Sequence, residues 1–409
     1  MNKITVKGGI PLNGKIAVSG SKNAALPIIF SCILTNGVNE IENLPDIGDV
    51  RVALKILSDF GARIEKCGEV TYIDTRNLCY HEPKRELVSS IRASTYLIGS
   101  CLSRFGICPI LPFGGCNFSA RPIDMHIDAC IALGAELIDG TLLSKRLFGG
   151  RVQFKKPSVG ATVNAILLAA GAEGESMIEG CAVEPHIDCL ISFLNSSGAK
   201  ISRKGSVIYI SGRHLSGGKI RIIGDMIEAG SYLAAGLITD GCVTVDNCPS
   251  GDMTSVFANL RSLGAEIDIR GSSVSATLIK PSPFASIVAE PYPGFPTDLQ
   301  PIFAPLLAKC LGGEIRDNVW QSRFGYLNSL DPFGIRYEVE GNHAVIYPSQ
   351  IHSGTSTAPD LRGGFACILL ALSAKGKSEI YSSDIILRGY EKLENKMRLL
   401  GADVQINHI

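Results

Sequence analysis

Apolar and mixed stretches succeed one another along this chain in an order that recurs six times. Each unit opens on a polar turn and a Gly/Ala-rich stretch of helical spacing that is apolar nearly all round. These stretches cover 21–34, 92–102, 158–172, 226–237, 297–310 and 361–374. A helix without a polar face belongs inside a core. Each stretch ends near a glycine: Gly37, Gly106, Gly174, Gly241, Gly312 or Gly313, and Gly376. Glycine is the residue expected just past a helix C-terminus. A short strand follows, at 39–42, 108–111, 176–179, 242–246, 314–317 and 378–381. Then come a loop and a two-faced helix, such as 123–133 or 390–400. That helix stops at Gly-Ala-x-aliphatic or a close variant, from Gly61-Ala62-Arg63-Ile64 to Gly401-Ala402-Asp403-Val404. A hairpin closes the unit, as where 200–202 turns through Lys204-Gly205 into 207–210.

The glycine signatures recur about every 64 to 73 residues, a period that means one supersecondary unit repeated. Six βαβαββ units with buried helices inside and sheets outside make an α/β protein of two inside-out domains, three repeats each. Residues 4–19 read as strands ahead of the first helix and are expected to complete a repeat of the C-terminal half. The expected domains are therefore 1–20 plus 225–409, and 21–224, joined by short crossings near Gly20 and Gly224.

Composition narrows the function classes. The chain has 409 residues, 45% hydrophobic and 19% charged, with zero formal net charge. A nucleic-acid partner would leave a basic excess, so none is expected. The 13 cysteines show no CxxC pairing, and most fall inside apolar helical stretches. They read as small core residues of a protein kept in a reducing compartment. The first residues alternate like a strand rather than a leader, and no apolar run reaches the about 20 residues of a membrane span. A cytoplasmic protein with no membrane partner is expected.

Polar residues gather at equivalent places in the repeats. Lys22, Arg92 and Arg362 stand at starts of buried helices. A cation there opposes the helix's own positive end, so an anionic ligand that offsets the repulsion is implied. The loop after the first strand carries Cys116 and Arg121, Glu184, Asp252, Arg323 and Arg388 in successive repeats. With the helices parallel, both sets should face the cleft between domains. The result is a cationic pocket of Lys22, Arg92, Arg121, Arg323, Arg362 and Arg388, suited to a small polyanion with phosphate and carboxylate groups. Ser158, Thr297 and Asp225 read equally well as plain helix N-caps. Asp298, after the rigid turn Pro293-Gly294-Phe295-Pro296-Thr297, reads as a cap or a base. Cys116 lies in the glycine loop Phe113-Gly114-Gly115-Cys116 with Arg121 and His126 downstream, where exposure and nearby cations make a thiol reactive.

Taken together, these residues resemble the enolpyruvyl transferase family, whose members have the EPSP synthase-like fold. The likeness runs from Lys3 to the C-terminus. It rests on Ser19-Gly20-Ser21-Lys22-Asn23-Ala24-Ala25-Leu26-Pro27, Arg92-Ala93-Ser94, Gly114-Gly115-Cys116 with Ala120-Arg121-Pro122, and Ser158-Val159-Gly160-Ala161-Thr162. Phe295-Pro296-Thr297-Asp298, Asp360-Leu361-Arg362 and Arg388-Gly389-Tyr390-Glu391 complete it. The glycine-loop cysteine marks the branch acting on a sugar nucleotide rather than on shikimate 3-phosphate.

The resemblance implies transfer of the enolpyruvyl group of phosphoenolpyruvate to the 3′-hydroxyl of UDP-N-acetylglucosamine, with release of phosphate, at the start of peptidoglycan precursor synthesis. It makes Cys116 the proton donor and Asp298 the base, with Lys22, Asn23 and Arg388 also catalytic. Lys22, Arg121 and Arg388 would hold the phosphate of phosphoenolpyruvate, Arg323 and Arg362 its carboxylate, and Asn23 the reacting carbon. Arg92, Arg121, Pro122, Ile123, Asp124, Met125, Lys156, Pro157, Ser158, Val159, Gly160, Asp298 and Val319 would take the UDP-sugar. No metal or organic cofactor is implied, and a monomer is expected. Some flanking positions differ from the family pattern: Val183, Met226, Gln321-Ser322 and 385–387. They keep open another nucleotide acceptor, such as UMP, and a nucleotide-sugar-binding protein without catalysis.

Overall fold

The alternating segments form six sheets, five of four strands and one of three among the described residues. The computed structural model describes residues 2–114, 122–212, 214–282 and 284–408. The chain divides into two compact units. One comprises the chain up to Ser19 and from Gly224 onward; the other runs from Gly20 to Ile223. Each has its own hydrophobic core.

One strand order serves all five four-stranded sheets, and Ala285–Ala289 illustrates it. That strand runs parallel to Gly313–Asp317, with Ile287 opposite Ile315. Parallel partners need a long crossover, and the buried helix Gln300–Lys309 supplies it. Gly313–Asp317 then pairs antiparallel with His343–Tyr347, which forms a hairpin with Arg336–Glu340. Side chains alternate across a strand, so one face of each sheet packs on the helices.

In both units, strands distant in the chain complete the repeats. Asn2–Gly8 pairs antiparallel with both Gly376–Tyr381 and Asp403–His408, setting Ile4 opposite Ile380 and Ile406. The chain start thus provides the last strand of the sixth repeat. Asn13–Ala17 lies parallel to Cys242–Asp246 in the fourth. In the other unit Lys219–Arg221 lies parallel to Val38–Glu42 in the first repeat. The second repeat has only Ile107–Pro109, Thr141–Leu143 and Glu136–Ile138 among the described residues.

The first helix of each repeat is buried as its composition demands. Every residue of Leu361–Ser373 from Leu361 to Leu372 is buried, as is nearly all of Met226–Ile238 and Val159–Gly171. Three of the six deviate from a single α-helix. Lys22–Ser31 tightens into the 3-10 turn Cys32–Leu34. The 3-10 segment Arg92–Tyr96 precedes Leu97–Phe105, and Thr297–Leu299 precedes Gln300–Lys309. The last two-faced helix is Leu393–Leu399, shorter than expected because Lys392 sits at a left-handed φ of 49°.

Two glycines differ from their expected role. Gly106, Gly174, Gly312 and Gly376 have the positive φ of a helix end, but Gly37 and Gly241 do not. A Cβ on Gly37 would lie 2.5 Å from the amide nitrogen of Gly217, and one on Gly241 would lie 2.0 Å from the carbonyl oxygen of Leu12. These two are needed for the close passage of the neighbouring chain segment.

Candidate active site

In the unit containing both chain ends, the helices Met226–Ile238, Gln300–Lys309 and Leu361–Ser373 pack on one another. Their N-terminal ends carry the polar residues. Asp225 accepts from the backbone N–H groups of Ile227 (2.8 Å) and Glu228 (3.1 Å), so it is a cap. Asp360 caps the third helix in the same way, through Arg362 and Gly363. The residue before the 3-10 turn Thr297–Leu299 is Pro296, so neither Thr297 nor Asp298 stands at its N-cap position.

Asp298 lies instead between two arginines. Its Oδ1 accepts from Arg323 Nη2 at 2.7 Å, and its Oδ2 from Arg362 Nη2 at 3.1 Å and Nε at 3.2 Å. Both guanidiniums are nearly buried, 6% and 3% exposed. Such charge-assisted bonds are the strong kind. Thr297 Oγ1 accepts from Arg323 Nη1 (2.9 Å) and donates to Asp317 Oδ2 (2.6 Å). The other oxygen of Asp317 accepts the backbone N–H groups of Val319 and Trp320, both at 2.9 Å, and so shapes the turn that carries Val319. Asp317 gives no local sequence signal, and Thr297 reads locally as a helix cap; only their meeting in space shows this part.

Arg362 is supported from below. Its guanidinium lies over the Tyr390 ring, 5.5 Å from the centroid, an arrangement the ring's quadrupole favours. Tyr390 stacks on Phe365 and shares a 2.8 Å hydrogen bond with Ser231. Burial works against the Arg362 charge, but Tyr390, Asp298 and Asp225 outweigh it and hold the group above the ordinary arginine range. Its Nη1 is buried and meets no hydrogen-bond acceptor among the described residues. Arg388, half-buried, ends the 3-10 segment Ser383–Arg388. A Cβ on the next residue, Gly389, would lie 2.6 Å from Leu361 Cδ1, so the chain passes tightly over the start of the third helix.

In the other unit, Lys22 opens Lys22–Ser31 beside half-buried Asn23. Its Nζ lies 3.4 Å from Oδ2 of the buried Asp49, so a carboxylate of the protein itself moderates the cation at that helix end. Asp49 carried no sequence signal. Arg92 begins the segment Arg92–Tyr96 and is half-buried. Pro122 and Asp124 are exposed, Ile123 and Met125 half-buried, and Asp124 opens Asp124–Ala132. Lys156 and Pro157 are exposed; Ser158 caps Val159–Gly171 by accepting from Ala161 N–H at 3.4 Å. Val159 and Gly160 form the half-buried first turn of that helix. Cys116 and Arg121 lie outside the described residues.

Comparison with known proteins matches this architecture to one family. The sequence profile described as EPSP synthase (3-phosphoshikimate 1-carboxyvinyltransferase) matches residues 6–397. The chain belongs to the EPSP synthase family of enolpyruvyl transferases. It is 38% identical to the UDP-N-acetylglucosamine 1-carboxyvinyltransferase of Halothermothrix orenii, over 99% of each chain. It is 39% identical to UDP-N-acetylglucosamine 1-carboxyvinyltransferase 3 of Caldanaerobacter subterraneus subsp. tengcongensis, again over 99% of each. Among solved structures, the enolpyruvyl transferase NikO from Streptomyces tendae superimposes with a TM-score of 0.88 at 26% identity, over 99% of both chains. EPSP synthase from Acinetobacter baumannii shares the fold, with a TM-score of 0.71 at 16% identity over the whole of both chains. Among the described residues no helix is long and apolar enough to cross a membrane.

Proposed function

We propose that this protein transfers the enolpyruvyl group of phosphoenolpyruvate to the 3′-hydroxyl of UDP-N-acetylglucosamine and releases phosphate, the first committed step of peptidoglycan precursor synthesis. Full-length likeness to enzymes named for that reaction supports the acceptor. The observation that carries the chemistry is Asp298 between Arg323 and Arg362, with a buried donor on Arg362 that meets no acceptor among the described residues. A carboxylate fixed beside two guanidiniums can take a proton from a hydroxyl next to the place where a substrate carboxylate is bound.

The reaction is addition followed by elimination. Cys116 gives a proton to the methylene carbon while the sugar hydroxyl oxygen bonds to the central carbon and loses its proton to Asp298. The tetrahedral ketal then returns a proton from its new methyl group to the Cys116 thiolate and expels phosphate, restoring the double bond; the phosphate leaves with the proton held by Asp298. Arg323 and Arg362 hold the carboxylate. Lys22, Arg121 and Arg388 hold the phosphate, and Asn23 contacts the tetrahedral carbon. Arg92, the segment from Arg121 to Met125, the segment from Lys156 to Gly160, Asp298 and Val319 take the sugar nucleotide. Preset cations stabilise the developing charge without a metal or organic cofactor. The protein acts as a cytoplasmic monomer of two domains, 1–20 plus 225–409 and 21–224.

A second reading takes another nucleotide, such as UMP, as acceptor. It is favoured by the apolar run Ile385-Ile386-Leu387 ahead of Arg388, whose side chains join the core of their unit rather than offering polar contacts. Phosphate release measured with UDP-N-acetylglucosamine, UMP and shikimate 3-phosphate separates the readings. Release with the sugar nucleotide is expected; release with UMP alone would overturn the acceptor and keep the reaction type.

A further inference from the structure

Three stretches assigned above to the sugar nucleotide come from three separate elements: the segment Arg92–Tyr96, the start of Asp124–Ala132 and the start of Val159–Gly171. One buried side chain joins them. Asn164 is fully buried. Its Nδ2 lies 3.1 Å from the carbonyl of Thr95, 3.2 Å from that of Gly160 and 2.8 Å from His126 Nδ1. Its Oδ1 accepts the backbone N–H of Gly99 at 2.7 Å.

These contacts settle the proton positions. A backbone N–H can only donate, so the oxygen of the Asn164 amide faces Gly99. The nitrogen then faces His126, and an amide NH2 can only donate. His126 Nδ1 must therefore present a lone pair, and the ring proton sits on Nε2. Burial, with the Arg92 charge adding to it, holds this ring neutral by lowering its pKa to about 4, against a smaller upward pull from Asp124.

The shapes of the neighbouring residues agree. A Cβ on Gly160 would lie 2.9 Å from His126 Cε1 and 3.1 Å from Nε2. A Cβ on Gly99 would meet the backbone oxygen and Oδ1 of Asn164, both at 2.9 Å. Both glycines leave room for the pair. An imidazole and an amide cost free energy to bury unless fully bonded, and two apolar residues could fill the same volume. What apolar packing would not provide is directional bonding to three chain segments at once.

Resting on the function proposed above, we propose that His126 and Asn164 are positioning residues. They hold the three sugar-nucleotide stretches in register, so binding of the acceptor depends on them and handling of phosphoenolpyruvate does not. The test uses the full-length protein, with UDP-N-acetylglucosamine titrated calorimetrically and each substrate varied in steady-state kinetics. His126→Ala should raise Kd and KM for the sugar nucleotide about 10-fold, the worth of about one net hydrogen bond. The KM for phosphoenolpyruvate should stay within about twofold, well under 1 kcal/mol. His126→Asn, which can place an oxygen acceptor near Nδ1, should recover most of the loss. Gly160→Ala should weaken the sugar nucleotide by a similar factor, whereas adding it to His126→Ala should weaken binding little further, because the ring it collides with is gone. If His126→Ala does not fold, the Gly160→Ala and His126→Asn values decide. Equal changes in KM for both substrates, or sugar-nucleotide affinity unmoved in these variants of an active enzyme, would overturn the proposal. A wild-type enzyme inactive with UDP-N-acetylglucosamine would overturn the underlying function instead, and this inference with it.

Discussion

Arg323 donates from Nη2 to Oδ1 of Asp298 at 2.7 Å, from a side chain that is 7% exposed to one that is 32% exposed. Asp298 serves this arginine through one oxygen and Arg362 through the other. The pair joins the proposed base to one of the groups proposed to hold the donor substrate. Changing either residue therefore has consequences for both.

Asp298→Asn removes the base but keeps the shape. We expect kcat to fall by about 10²- to 10⁴-fold, the usual worth of a positioned base. The KM for phosphoenolpyruvate should fall or stay level, because both guanidiniums lose their internal counter-charge. A raised KM with unchanged kcat would assign Asp298 to binding alone.

Arg362→Lys keeps the charge and loses the planar fork. A lysine cannot reproduce the paired Nε and Nη2 contacts or the face-on packing over Tyr390. The KM for phosphoenolpyruvate should rise about 10- to 100-fold, the loss of one to two charge-assisted hydrogen bonds. An unchanged KM would remove Arg362 from the carboxylate site.

Among the twelve described cysteines, Cys67, Cys79 and Cys242 are exposed and nine are buried. Burial pushes the thiols of Cys130, Cys181, Cys248 and Cys367 up to about 12. A neutral-pH thiol reagent should therefore label the exposed three and Cys116, and reach the rest only on unfolding. With Cys67, Cys79 and Cys242 all replaced by Ser, an epoxide phosphonate such as fosfomycin should label one site, faster with the sugar nucleotide present. Peptide mapping should place it at Cys116. Cys116→Asp should keep turnover and resist the reagent. Inactivating label on any other cysteine, or a fully active Cys116→Ala enzyme, would exclude Cys116 as the proton donor.

Lys396 donates to Glu228 at 2.6 Å and to Ser19 Oγ at 2.7 Å, and Glu228 accepts the backbone N–H of Ser19. Both charged residues are at least nine-tenths buried. Burial raises the Glu228 carboxyl to about 7, with Lys396 pulling it down. Lys396→Met should cost about 3 kcal/mol at pH 8, the penalty of a buried charge left alone. A carboxyl raised on folding contributes stability below its ordinary pKa and loses it as pH rises through the folded value. The penalty should therefore shrink at pH 5, and adding Glu228→Gln should recover part of it at pH 8. Urea titrations at the two pH values would show this; a pH-independent penalty would contradict it.

For His126 the sign is opposite. Its folded pKa, about 4, lies below the ordinary 6.5, so the neutral ring favours folding. Its contribution is whole above the ordinary value and lost as pH falls through about 4. Between pH 7 and pH 5 the wild type should lose about 2 kcal/mol more than His126→Asn, followed by circular dichroism in urea. Equal losses would show that the ring is not held neutral.

What depends on neighbours along the chain is legible in the residues alone. The Gly-Ala period, the all-apolar helices and the caps Ser158 and Asp225 follow from spacings of two to four residues, where backbone geometry alone sets which groups meet. How distant parts combine in atomic detail is set by packing across a whole unit. The repeat pattern already sends the chain start to the C-terminal half, but no local rule sets Ile4 opposite Ile380 and Ile406, or requires glycine at Gly37 and Gly241 because another segment passes there. The same holds for the contacts of Asp298 with Arg323 and Arg362 and of Asn164 with His126. Each partner is a common residue type whose meaning depends on the atom opposite it. That atom is placed by the packing of whole helices, which minimises exposed apolar surface and unmatched buried polar groups over the entire unit and leaves no mark at any single position.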